Sequence, residues 1–231
     1  MPDFGKRSIF GRGLSALILI SLAMVGLYYG RFRKAAWEAY DYDVMGSTVS
    51  VKIYAASQTE AEELTRPALE AIHALDDLLS DYKPESQLSL ANRSAYVQPM
   101  VISTDFAAVL RAALEVSETS NGAFDITVGP LVDLWRQGVI AQEIPSESAI
   151  SATLARTGFA HIRLQGETLS FDCPGVRLDV GGIAQGYAVD KAIAILKAEG
   201  LSAAIVDVSG DIYVHGVPPS GEPFVIGIQH P

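Results

Sequence analysis

Histidine, cysteine and, beyond the N-terminal segment, positive charge are all scarce in this 231-residue sequence. The single cysteine, Cys173, excludes an intramolecular disulfide and any CxxC metal or redox pair, and suits either an oxidising or a reducing compartment. Four histidines, His73, His161, His215 and His230, lie far apart without an H-x-x-x-H pair, so no zinc site is indicated. There is no G-x-S-x-G nucleophile elbow. No internal repeat and no low-complexity tract occurs, and with 49% hydrophobic residues the composition is that of a folded chain.

The shortage of cations is local. Residues 1–36 hold Lys6, Arg7, Arg12, Arg31, Arg33 and Lys34 against one acid, Asp3. From Trp37 onward 11 basic residues face 26 acidic ones, a net charge of −15. Such a domain has few cations with which to displace counterions, which argues against nucleic acid as a partner. A phosphate-bearing ligand would need a positive charge between itself and this surface, and a divalent metal is the simple candidate.

Residues 13–30 are apolar throughout and flanked by basic residues. The run is near the lower limit for a membrane-spanning helix, is longer than a usual signal-peptide core and lacks a convincing A-x-A site after it. The lipoprotein alternative needs a cysteine after the run, and there is none. We therefore expect an uncleaved signal-anchor in residues 1–36 and a domain over residues 37–231. The flanks are nearly balanced, so the positive-inside rule does not fix orientation; N-inside with an extracytoplasmic domain is the working expectation.

In the domain, Thr48–Tyr54 alternates with Val49, Val51 and Ile53 on one face, which predicts a half-buried strand. Ser57 and Glu60 have capping-box spacing, and Ala61, Leu64, Ala68, Ile72, Leu75 and Leu79 then repeat at helical steps. Pro67 is expected to kink this helix or mark a late start. A short strand near 97–102 and a helix over 106–119, ended by Asn121-Gly122, follow. Gly129-Pro130 suits the start of a further helix, and 148–156 reads as another. A hairpin over 162–164 and 168–171, a strand at 176–180, a helix at 187–199, strands at 203–208 and 212–215, and a last strand at 224–228 complete the reading. Without strict βα alternation the fold class is α+β, a mixed sheet with packed helices.

The segment Leu178–Tyr187, LDVGGIAQGY, carries the chemistry best. A strand expected to end at Val180, two glycines and a helix start near Ala184 would offer free N–H groups and a dipole worth ~0.3–1 kcal/mol to an anion. The spacing G-G-x-x-x-G fits neither a Walker A loop, since Gly186 is followed by Tyr187-Ala188, nor G-x-G-x-x-G. Spacing alone leaves two readings open, a phosphate seat or a tight turn packing the core. Asp179, whose carboxylate could accept from a ribose or ring N–H or support a metal, favours the first. Gly122–Asp125 similarly sets Phe124, suited to stacking, beside Asp125, although taken alone a helix cap followed by a core phenylalanine explains it better.

The ordered set Met45-Gly46-Ser47-Thr48, Leu79-Ser80-Asp81-Tyr82, Gly122–Trp135, Leu178–Asp190 and Ser209-Gly210-Asp211-Ile212 resembles the ApbE-like FAD:protein FMN transferases from about Tyr42 onward. The resemblance implies a magnesium-dependent enzyme, membrane-tethered and facing the periplasm. Such an enzyme moves the FMN moiety of FAD onto a Thr or Ser hydroxyl of a partner flavoprotein and releases AMP. Carried over, it implies that Met45 and Tyr82 line the flavin or adenine pocket and that Ala123, Phe124 and Asp125 contact FAD. Asp179 would hydrogen-bond the cofactor, Gln185 would touch it, and the Gly182 carbonyl would face magnesium. Gln185 stands where lysine is common in the family, and Ser209 where glycine is common. Family members are expected to continue past IGIQHP into T-S-G-D and H-I-x-D-P-x-T-G blocks and an Asp/Thr pair that completes the metal site. The domain is thus expected to lack its C-terminal part, as a fragment or a natural truncation. No catalytic residue is assigned; Asp125, Asp179 and Asp211 are the base candidates. The competing readings are a tethered FAD-binding module or inactive remnant, and a FAD pyrophosphatase giving FMN and AMP.

Overall fold

The computed structural model describes residues 35–228. The expected membrane helix at 13–30 lies outside them, and no helix among the described residues is long and apolar enough to cross a membrane.

The chain opens with a hairpin of β1 (Ala35–Val44) and β2 (Ser47–Ala55). Its two-residue turn is Met45-Gly46, with φ of +53° and +73°. Both values lie in the left-handed region that a type I′ turn requires and that matches the twist of the strands. Helix α1 (Gln58–Leu79) follows, capped by the Ser57 hydroxyl, which accepts from Glu60 N at 3.2 Å. The Glu60 carboxylate reaches back to Ala56 N at 2.6 Å. Pro67 lies inside α1 and does not mark its start, contrary to one sequence expectation. The carbonyl that Pro67 leaves unpaired belongs to Glu63, an exposed residue that water can serve.

Next come α2 (Gln87–Ser94), β3 (Met100–Val101), α3 (Thr104–Thr119), α4 (Gly129–Ala141) and α5 (Glu147–Leu154). A hairpin of β4 (Ile162–Gln165) and β5 (Thr168–Phe171) leads to α6 (Gly181–Ala198), β6 (Ala203–Val208) and β7 (Asp211–Gly216). The larger sheet has the order β1-β2-β6-β7 and the smaller the order β3-β5-β4, antiparallel at every pairing. The parallel component expected of a mixed sheet is confined to one isolated bridge, Val128 with Arg177.

Strand alternation decides which sheet face is covered. Val49, Val51 and Ile53 are fully buried and register with Val208, Val206 and Ala204 of β6. Helices α1 and α6 pack side by side over this sheet, with Ile72, Leu75, Ala188, Ala192 and Leu196 in the same core. Each buried Val, Leu or Ile contributes about 1.5–3 kcal/mol relative to exposure. The layer fixes the start of α6 beside the Met45-Gly46 turn.

Three expectations near the site are corrected. Residues 176–180 do not form a strand, and Val180 has already left the extended region, with φ −102° and ψ 9°. Apart from the Arg177 bridge, Leu178 N and O pair with the Asn92 side chain at 2.7 and 3.0 Å, and Asp179 N donates to Ile126 O at 2.7 Å. Helix α6 begins at Gly181, not at 184–187, so Gly181 and Gly182 form its first turn, and neither has a positive φ. The last expected strand, 224–228, has no strand partner among the described residues; Val225 and Ile228 are almost fully exposed, and a segment without a neighbour has no ladder to join.

Candidate functional site

A cleft of about 220 Å³ opens between the β1–β2 turn, the C-terminal end of α1, α4 and the start of α6. It brings together Met45, Tyr82, Asp179 and Gln185, four positions distant in sequence that the resemblance had singled out. Three further charged groups line it: Asp81, which lies in a block quoted for the resemblance without a role of its own, and Asp76 and Arg136, which sequence reasoning missed.

Hydrogen bonds hold the rim. Asp76, buried on the inner face of α1, accepts from Met45 N at 3.0 Å and so fixes the left-handed turn. Its other oxygen accepts from Lys83 Nζ at 2.5 Å, and Lys83 also reaches Asp77 at 2.6 Å. The bond to Asp76, then that to Asp77, raises the Lys83 pKa above its ordinary value, and Lys83 in turn lowers that of Asp77. On the far side of the turn the Gln185 amide donates to Met45 O at 3.4 Å, a long contact. Arg136 Nη1 donates to Asp81 at 3.1 Å and Nη2 to the Tyr82 hydroxyl at 2.9 Å, with the guanidinium carbon 5.1 Å from the ring centroid. The hydrogen bond to Asp81 raises the Arg136 pKa further, and the charge of Asp179 adds to that.

The glycines at the start of α6 do something different from what their spacing suggested. A Cβ on Gly181 would lie 3.2 Å from Asp179 Oδ1, and one on Gly182 would lie 3.3 Å from Phe124 Cε2. The missing side chains thus admit a carboxylate and an aromatic ring to the first turn. Asp179 accepts from Gly181 N at 3.0 Å, acting as the helix's cap although Val180 occupies the cap position.

The other sequence-derived residues lie outside this cleft. Ala123 is exposed in the turn after α3, and Phe124 packs on the Gly182 side of α6. The Asp125 carboxylate accepts three hydrogen bonds, from Thr127 N at 2.8 Å, Thr127 Oγ1 at 2.6 Å and Phe159 N at 2.7 Å. It ties the segment entering α4 to the 158–159 loop. Gly182 lines a second cavity of about 470 Å³, on another side of α6, with Gly186, Tyr187, Asp211 and Tyr213. Asp211 is therefore separated from Asp179 by the helix. Beneath, Tyr187 donates to Asp105 at 2.9 Å and Lys191 pairs with the same oxygen. Burial, then the bond to Asp105, pushes the Tyr187 pKa up to about 12.

Among the described residues no three His, Cys, Asp or Glu side chains converge to hold a metal ion. Asp76 and Asp81 each carry a cationic partner, and Asp179 has a main-chain one. These residues alone do not constitute a magnesium site.

Known proteins resemble the chain in sequence and in fold. The FAD:protein FMN transferase of Vibrio cholerae is 31% identical over 220 residues, covering 92% of this chain and 65% of its own length. That of Escherichia coli K12 is 33% identical over 193 residues, covering 81% and 55%. The chain thus spans about 55–65% of the length of these curated relatives. The apo crystal structure of the Pseudomonas stutzeri flavinyl transferase ApbE superposes with a TM-score of 0.77 at 31% identity, covering 85% of this chain and 66% of that one. The Vibrio cholerae flavin transferase ApbE gives 0.75 at 29% identity, covering 85% and 65%. Residues 45–231, running from the turn methionine of the cleft onward, match the ApbE family, and the chain belongs to that family.

Proposed function

We propose that this chain carries the FAD-binding part of an FAD:protein FMN transferase, which moves FMN from FAD to a Thr or Ser hydroxyl of a partner flavoprotein. The observation that carries this reading is the convergence of Met45, Tyr82, Asp179 and Gln185 on one cleft beside the first turn of α6. A cleft of 220 Å³ holds one ring system and not a whole dinucleotide. FAD would therefore extend out of it, and the larger cavity on the Gly182 side offers a second seat.

In the reaction the acceptor oxygen bonds to the FMN-side phosphorus, the bond from that phosphorus to the bridging oxygen breaks, and AMP leaves with the bridging oxygen. The acceptor's proton must go to a base. Of the three candidates, Asp125 is committed to three local donors, and Asp211 lines the second cavity, across α6 from the cleft where Met45, Tyr82 and Gln185 converge. Asp179, in the cleft with one main-chain partner, is the residue of choice. The protein's remaining work is positioning: Asp76 and Gln185 hold the Met45 turn, and Arg136 holds Tyr82. Magnesium would supply charge neutralisation at the phosphates, with the Gly182 carbonyl as one contact. The side chains described do not complete its ligand set, so no step is derived through it.

The same reading tethers the protein to the cytoplasmic membrane through residues 13–30, with the domain on the periplasmic side; protease accessibility in spheroplasts tests that placement. Incubating the full chain with FAD, magnesium and a flavoprotein acceptor tests the activity. The expected result is a covalent FMN mass increment on the acceptor and release of AMP. AMP release without labelling indicates FAD hydrolysis instead. Tight FAD binding without either product supports a non-catalytic FAD module.

A further inference from the structure

We propose that Arg136 is the group that receives the phosphates of the ligand in this cleft, and that it sets the site's preference for a nucleotide over an uncharged flavin or nucleoside. The inference rests on the reading of the cleft as a FAD seat and adds to it a residue that no motif pointed to.

The argument is one of charge. Three carboxylates line the cleft, Asp76, Asp81 and Asp179, and its lining contains a single cation, Arg136. Lys83 lies close but is turned to Asp76 and Asp77 and does not line the cavity. The start of α6 cannot take the role alone. Asp179 sits at its first turn and accepts from Gly181 N, so a carboxylate already offsets the positive end of the helix. A diphosphate approaching Gly181 would meet that carboxylate, and any offsetting cation that the protein itself supplies must come from another element.

Arg136 has the right form. A guanidinium carries five N–H donors in a planar fork that matches phosphate oxygens, and two bonds, to Asp81 and Tyr82, leave capacity for more. Those two bonds and the Tyr82 ring hold the group in place before a ligand arrives, which reduces the entropy lost on binding. Its side chain is 43% exposed, so a ligand can reach it. The position follows from α4, whose N-terminal end is clamped to the 177–179 segment through the Val128–Arg177 bridge, so Arg136 and Asp179 belong to one rigid frame.

The test measures binding of FAD and ADP, which carry phosphates, and of riboflavin and adenosine, which do not, to the full chain and to its Arg136→Gln and Arg136→Lys forms. Charge-assisted hydrogen bonds of this kind predict that Arg136→Gln weakens FAD and ADP about tenfold to a hundredfold more than it weakens riboflavin and adenosine, whose smaller loss reports only the lost hold on Tyr82. Arg136→Lys should recover part of the loss, and the wild-type FAD affinity should fall more steeply with salt than that of Arg136→Gln. Retained binding of the uncharged probes also reports that the variants are folded. Unchanged FAD affinity in Arg136→Gln overturns the inference while leaving the cleft as a FAD seat. Equal loss for riboflavin and FAD also overturns it, because Arg136 would then act only by holding Tyr82. A wild-type chain that binds none of the four probes overturns both.

Discussion

Gly129 offers the sharpest test of how the site is held. It is the first residue of α4, and a Cβ there would lie 2.7 Å from the Arg177 carbonyl oxygen and 3.0 Å from both the Arg177 carbonyl carbon and its Cβ. The first two are main-chain atoms, fixed by the Val128–Arg177 bridge and by Asp179 N donating to Ile126 O, so they cannot rotate away. Overpacking against such neighbours costs about 1–3 kcal/mol. The helix-propensity gain of alanine over glycine is at most about 1 kcal/mol, and less at a helix's first position. Gly129→Ala should therefore destabilise the domain by about 1–2 kcal/mol. For a domain of this size that lowers the melting temperature by about 2–8 °C. Because the displaced segment leads directly to Asp179, FAD affinity should fall as well. Urea unfolding of the full chain, with detergent present throughout, reads the first effect and flavin fluorescence titration the second. Gly227→Ala is the control, since nothing lies within 4 Å of a Cβ there. If Gly129→Ala is as stable as wild type, the contact between α4 and the 177–179 segment is not the tight one described.

Three further outcomes are expected. Ser209 adopts φ +59° in the β6–β7 turn, where glycine carries no steric penalty, so Ser209→Gly should raise stability by about 0.5–1 kcal/mol in urea melts; an unchanged or lower midpoint counts against the turn geometry. Asp125→Ala strands the Thr127 and Phe159 donors, and Thr127 is fully buried, so a loss of about 2–4 kcal/mol is expected in the same melts. A near-neutral result would show that water replaces the carboxylate. Tyr187 binds its proton more tightly folded, with a pKa of about 12 against an ordinary 10. Its share of stability is whole below pH 10 and is lost as pH rises from 10 towards 12. Tyr187→Phe should flatten the fall in urea midpoint between pH 9 and pH 11; an equally steep fall in both proteins would refute the assignment.

The elements with strong periodicity were legible in the sequence. Alternation at Val49, Val51 and Ile53 and the helical stripe from Ala61 to Leu79 gave the correct faces, because burial on one side is what produces each period. Asn121-Gly122, with φ of +51° and +79°, ended α3 as expected. Residues 176–180 were misread for a physical reason. Their apolar alternation reflects burial of Val176, Leu178 and Val180, but the hydrogen bonds go to a side chain, Asn92, and to a loop, and neither partner leaves a periodic trace. The opening strand β1 is not legible because its pairing with β2 depends on the Met45-Gly46 turn, which carries none of the usual Asn-Gly or Asp-Gly hairpin pairs.

The site was legible only where a residue's chemistry stands next to an unusual backbone. Asp76 did leave a signal, a carboxylate at 8% exposure within the apolar stripe of α1, since a buried acid needs partners and here finds Met45 N and Lys83. Arg136 left none: on α4 it reads as one more exposed cation, and only the meeting of three segments gives it Asp81, Tyr82 and Asp179 as neighbours. The glycines of LDVGGIAQGY show most clearly what a motif can and cannot say. Their spacing announced close approach, and close approach is what they provide, but to Asp179 and Phe124 of the protein itself. Once Asp179 caps α6, the helix start is no longer a bare anion seat. A side-chain cation for a phosphate must then come from another element, and the cation that lines this cleft is Arg136 on α4.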